Sequence, residues 1–147
     1  MKISVINGPN LNLLGKRDKS LYGQKSLEEI QEELTSHFID VDFDFFQSNV
    51  EGSIINKIQA LNKNCDGMII NPGGYAHTSV AIKDALSELK IPRIEVHLSN
   101  LAAREPYRQT LLTASVCDGY ISGFKEKGYY AAVYLIKTII EEEGGNN

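Results

Sequence analysis

Apolar positions along the chain switch repeatedly between two rhythms. Residues 1–6 and 67–70 are short, nearly unbroken apolar runs, as in strands buried on both faces. Pro92 opens a further strand over 93–98, and 119–123 reads as the last. Between positions 41 and 45, Val41, Phe43 and Phe45 alternate with Asp42 and Asp44, which predicts a strand with one wet face at a sheet edge. Helical spacing takes over in between. Leu27, Ile30, Leu34 and Phe38 share one face, as do Ile54, Ile55, Ile58 and Leu61, and Ile82, Ala85, Leu86 and Leu89. Ser26 with Glu29 and Ser48 with Glu51 are spaced as capping boxes, and Thr78 or Ser79 can cap the third helix. A loop with room for one short helix spans 99–113, and a final helix runs over about 127–142. The tail 141–147 reads as frayed.

Strands alternate with helices five times, which implies a parallel sheet covered on both faces by right-handed crossovers. The edge character of the second strand selects the flavodoxin-like order 2-1-3-4-5: a three-layer α/β sandwich in a single domain, 1–147. Ligands of such sheets bind beyond the carboxyl ends of the strands, where the strand order reverses. For this order the place lies between the first and third strands.

The chain puts its unusual residues there. The connection from Asn7 to Gly23 far exceeds the roughly two to six residues usual for a strand-to-helix loop. It carries packing leucines (11, 13, 14 and 21) together with Arg17 and Tyr22, the composition of an active-site lid. Asn71-Pro-Gly-Gly follows the third strand, where Gly73 or Gly74 can supply a positive φ. On the fourth strand Glu95 and His97 share a face, about 6–7 Å apart along the backbone. A carboxylate so placed orients the imidazole and makes it a general acid. Ser99 and Asn100 at the strand end can bind an anion. Arg104 and Arg108, four apart, predict one ligand-facing arginine and one structural one. A free phenol titrates near about 10 and is a poor base at neutral pH. A guanidinium five residues back, Arg17, would favour the phenolate of Tyr22.

Composition narrows the function further. A formal net charge of -4 without a basic cluster speaks against nucleic-acid binding. No apolar run reaches the ~20 residues of a membrane span. No signal-peptide pattern precedes the first strand, and Cys65 and Cys117 form no C-x-x-C pair, so a reducing cytoplasm without disulfide or zinc site is expected. A flavin- or nucleotide-binding domain would need a phosphate loop after the first strand, and a receiver domain an aspartate ending the third; the chain has Asn7 and Asn71 at those places. A different small-molecule lyase on the same scaffold stays open.

Taken together, the run from Ile6 to Arg17, Tyr22-Gly23, the run from Asn71 to Ser79, Asp84-Ala-Leu86, the run from Glu95 to Asn100, and Ala103-Arg-Glu105 with Arg108 closely resemble the type II 3-dehydroquinate dehydratases, in order and at family spacing. The resemblance covers nearly the whole chain. It implies dehydration of 3-dehydroquinate to 3-dehydroshikimate in the shikimate pathway, with no metal, organic cofactor or Schiff base. It also implies a cytoplasmic homo-oligomer, a dodecamer built from trimers. It assigns the base to Tyr22, its activation to Arg17, enolate stabilisation to Asn12, and the general acid to His97 assisted by Glu95. Asn71, His77, Leu98, Ser99 and Arg108 match substrate-binding positions, and Asp84 matches a residue reaching a neighbouring subunit's site. Lys19 stands where the family commonly has proline, and Ala102 where a histidine is common; neither change removes a catalytic group.

Overall fold

A computed structural model of the chain describes residues 1–145. Five parallel strands, β1 (Lys2–Asn7), β2 (Asp42–Gln47), β3 (Gly67–Asn71), β4 (Arg93–His97) and β5 (Gly119–Ser122), pair in the order β2-β1-β3-β4-β5. This is the flavodoxin-like arrangement expected. Register places Asn7 beside Asn71 where β1 and β3 end, and His97 beside Ser122 on β4 and β5.

The helices are α1 (Lys19–Tyr22), α2 (Leu27–His37), α3 (Glu51–Gln59), α4 (Val80–Ser87) and α5 (Lys127–Gly145). Two apolar layers cover the sheet. One gathers Ile3, Val5, Ile69 and Val96 under α2 and α5; the other gathers Ile6, Met68 and Ile70 under α3 and α4. Ser26 caps α2 by accepting from the Glu29 amide at 3.1 Å. Ser79, not Thr78, caps α4. The second expected capping box does not form. Helix α3 starts at Glu51 after Val50, so Ser48 Oγ accepts from the Val50 amide instead, and the Glu51 carboxylate accepts from the Ser79 hydroxyl at 2.8 Å.

Two further expectations change. The tail does not fray at 141: α5 runs on to Gly145, with Ile139 and Ile140 packed against the core; Asn146 and Asn147 lie outside the described residues. The long loop after β1 is also more regular than its sequence suggests. It holds a 3-10 turn, Leu11–Leu13, and α1, whose N-cap Asp18 accepts from the Ser20 amide at 2.9 Å. Lys19 opens α1 at the first helical position, where a proline is also well accommodated. Leu11 and Leu14 anchor the loop in the core, while Leu13 is exposed.

The β1 and β3 loops meet backbone to backbone. Gly8 N–H donates to Asn71 O at 2.8 Å, and a Cβ on Gly8 would sit 2.4 Å from Pro72 O. Between the two glycines proposed for a positive φ, Gly73 takes it, at 61°. Cys65 and Cys117 are both free thiols. Among the described residues no helix is long and apolar enough to cross a membrane.

Candidate active site

The ends of β1, β3 and β4 open into one cleft whose walls include Asn10, Arg17, Tyr22, Asn71, His97, Leu98, Ser99, Arg104 and Arg108. The three arginines make a cationic pocket on an otherwise acidic protein, suited to an anionic small molecule. Among the described residues, no lysine lines it.

Tyr22, the last residue of α1, is held between two cations. The Arg17 guanidinium lies over its ring, 3.8 Å from the centroid. Arg104 Nη1 donates to the Tyr22 hydroxyl oxygen at 2.8 Å and to Ser99 Oγ at 3.0 Å. A guanidinium can only donate, so the phenol oxygen is the acceptor. The expected partner, Arg17, covers the ring face; the contact at the oxygen belongs to Arg104. Both Arg104 and Arg108 line the cleft, against the expectation that only one would. Their stretch is not a single α-helix. It consists of two 3-10 turns, Leu101–Ala103 and Pro106–Gln109, with Arg104 extended between them. Glu105 Oε2 braces both side chains, 2.9 Å from Arg108 Nε and 3.4 Å from Arg104 Nε. Its own backbone amide and then the Arg104 guanidinium hold the Glu105 carboxyl below the usual carboxylate range.

His97 and Glu95 are adjacent on β4 as spacing required, and both are buried. His97 Nε2 lies 2.6 Å from Glu95 Oε2, and the other carboxylate oxygen accepts from the Thr113 hydroxyl. Glu95 therefore stands behind His97 rather than in the cleft wall. His77 packs its ring against that of His97, centroids 6.1 Å apart. Its Nδ1 lies 2.8 Å from Thr110 O, an acceptor, so the proton sits on Nδ1 and Nε2 is left buried without a partner. Burial holds the His77 pKa below the usual histidine value. Arg93, on the same side of β4, donates to the carbonyls of Val116 and Leu89 and is structural.

The floor is a hydrogen-bonded trio. Asn71 Oδ1 accepts from Gly73 N at 3.1 Å, and Asn71 Nδ2 donates to the Tyr129 hydroxyl at 3.4 Å. That hydroxyl donates to Asn7 Oδ1. Tyr129 is fully buried, and burial pushes its pKa well up.

Asn12 is not part of this site. The 3-10 turn directs Leu11 inward and its successor outward, since neighbours on such a turn point about 120° apart. Asn12 is exposed, and Asn10, with φ 71°, lines the cleft instead. Asp84 sits on the exposed face of α4, away from this chain's cleft. Asn10 is the cleft residue the sequence reading passed over, and Arg104, named there as one of a pair, was not assigned to the cleft ahead of Arg108.

A doubly wound parallel sheet with a cation-flanked phenol and a carboxylate-backed imidazole in its switch-point cleft defines a class of small-molecule site, one whose groups are suited to acid–base chemistry. The family model for dehydroquinase class II matches residues 1–137. The chain is 47% identical over 147 residues to the 3-dehydroquinate dehydratase of Wolinella succinogenes, covering 98% of this chain and 88% of that one. It is 49% identical over 144 residues to that of Campylobacter jejuni, covering 97% and 91%. The crystal structure of the type II dehydroquinase from Butyrivibrio crossotus superposes with a TM-score of 0.90 at 45% identity, covering 93% of this chain and 97% of that one. That from Propionibacterium acnes gives 0.87 at 34%, covering 92% and 96%. The chain belongs to the class II dehydroquinase family.

Proposed function

We propose that this chain dehydrates 3-dehydroquinate to 3-dehydroshikimate, a shikimate-pathway step, through an enolate. The observation that carries this reading is the placement of Tyr22, between Arg17 and Arg104, in the same cleft as His97 backed by Glu95. The proton beside a ketone is too weakly acidic to leave unaided. The reaction needs a base, a group to hold the enolate oxygen, and an acid for the departing hydroxyl.

The Tyr22 phenolate takes the proton from the carbon beside the ketone, and the carbonyl becomes an enolate. Asn10, through its amide and an intervening water, takes the stabilising role first assigned to Asn12. His97 has Nε2 committed to Glu95, so Nδ1 gives the proton to the leaving hydroxyl, which departs as water while the enolate collapses to the conjugated enone. The substrate carboxylate is held by Ser99 and the backbone of Leu98, in reach of the arginines; Asn71, His77 and Arg108 hold ring hydroxyls. The absence of lysine from the cleft wall among the described residues favours this route over an iminium. The outward position of Asp84 suits a residue that completes a neighbour's site in a trimer-based dodecamer working in the cytoplasm.

The test is an ultraviolet assay for the conjugated product with chelator-treated protein, repeated after borohydride treatment in the presence of substrate. Absorbance that rises under both conditions is expected. Folded, assembled protein that produces no rise overturns the reading.

A further inference from the structure

We infer that Thr113 is a positioning residue for the acid half of the site: its hydroxyl fixes the Glu95 carboxylate, and through it the orientation of the His97 imidazole. This rests on the proposed role of His97 as acid. Thr113 lies outside the cleft wall and is completely buried. Its hydroxyl donates to Glu95 Oε1 while His97 Nε2 lies 2.6 Å from Oε2. A buried carboxylate has two oxygens to satisfy, and here each has one partner from a different element. With Oε1 taken, the carboxylate cannot turn, and the His97 ring is held with Nε2 inward and Nδ1 free.

The segment that supplies Thr113 is itself clamped. The amides of Leu112 and Thr113 both donate to Ala76 O, at 2.9 and 3.4 Å, and Thr113 O accepts from the Val116 amide at 3.3 Å. Three residues earlier the same segment offers Thr110 O to His77 Nδ1. One short stretch therefore sets the orientation of both histidines. The hydroxyl reaches Glu95 across 18 residues of sequence. Toward a carboxylate oxygen the Thr113 hydroxyl can act only as donor, so its proton is committed to Glu95 Oε1 and the contact has one direction. The other charged and titratable groups around the pair are Arg93 on the same side of β4, His77 from the β3 loop, Arg108, the Cys117 thiol beyond Thr113, and Tyr22, Arg17 and Arg104 in the cleft. None of these donates to Oε1.

The experiment compares Thr113→Val, which removes the hydroxyl and keeps the volume, with Thr113→Ser, which keeps the hydroxyl. Thr113→Val is expected to lower kcat roughly tenfold, a fraction of the about 10²–10⁴ that a whole general acid supplies. KM should stay within about twofold, because the hydroxyl does not touch the cleft. Thr113→Ser should restore kcat, and Thr113→Val should add nothing in a Glu95→Gln background. An unchanged kcat in Thr113→Val, or an equal loss in Val and Ser variants, overturns the inference.

Imidazole NMR separates this from the function reading. If the wild type does not turn over, the dehydratase proposal fails, and the downfield His97 Nε2 proton still reports on Thr113: kept in Ser and lost in Val supports the inference, kept in both overturns it. Should Thr113→Val not fold, the hydroxyl proton of the native residue gives the reading. Slow exchange and a downfield position support the contact, and rapid exchange with water overturns it.

Discussion

The two halves of the cleft rest on different foundations. The acid half stands on the sheet. Glu95 and His97 are neighbours on a central strand, buried on both sides, and their hydrogen bonds run to groups that are buried as well. The base half stands on a loop. Tyr22 is half-buried, ends a four-residue helix, and owes its surroundings to Arg17 from its own loop and Arg104 from beyond β4. A buried imidazole can be orientated once, by folding. The phenol, by contrast, is assembled from separate loops, held by two cations that also suit the cleft to an anion. One cleft thus joins an imidazole fixed by buried neighbours of the sheet to a phenol flanked by loop-borne charges.

The largest expected effect breaks the base half alone. Tyr22→Phe removes the proton acceptor and leaves the ring for Arg17 to cover. We expect kcat to fall by about 10²–10⁴ with the urea unfolding midpoint unchanged. Near-normal turnover would show that the lid carries no base and that both proton transfers belong to the buried half.

Next in size is a contrast within the lid. Asn10→Gly removes the amide while keeping the positive φ that Asn10 adopts, and is expected to lower kcat about 10²-fold, as for loss of an oxyanion donor. Asn12→Ala should stay within about twofold, as for an exposed side chain outside the cleft. Steady-state assays of the two variants check both. The reverse ranking would restore Asn12 and disprove the reading of the 3-10 turn.

This pair also marks where the sequence stopped being legible. Strand order, the two apolar layers and the β4 pair followed from rhythm alone, because a two-residue period fixes which side chains share a face. Glu95 and His97 could hardly have been elsewhere. Asn10 and Asn12 flank Leu11, and only the path of a three-residue turn decides which one points inward. Arg104 was underrated because four-residue spacing was read as helical, whereas the extended backbone between two short turns brings both arginines to the cleft. Thr113 had no local signal, since its partner is 18 residues away and no periodicity links a loop hydroxyl to a strand carboxylate. The buried half of the site was thus readable in its strand and unreadable in its supports. The lid half was readable in its residue types and misread in their directions.

The smallest effect sharpens the comparison from below. Tyr129 on α5 does for the floor what the β4 neighbours do for the acid: it is fully buried and joins Asn7 and Asn71, the paired ends of β1 and β3. Tyr129→Phe keeps the ring and removes only the hydroxyl, stranding Asn7 Oδ1 and Asn71 Nδ2 in a site where Asn7 Nδ2 already lacks a partner. Leaving buried polar groups unpaired costs about 1–3 kcal/mol, so urea unfolding should reveal a loss in that range. Because Asn71 would lose one of the two bonds that orient it, KM should rise several-fold while kcat holds. Because the removed hydroxyl bonds Asn7 and Asn71 rather than Tyr22 or its arginines, the reactivity of Tyr22 should be unaffected. A variant with unchanged stability would mean that water readily replaces the hydroxyl there. The floor would then belong with the adaptable lid rather than with the rigid strand, and the division of the cleft into a prearranged half and an assembled half would have to be redrawn between β3 and β4.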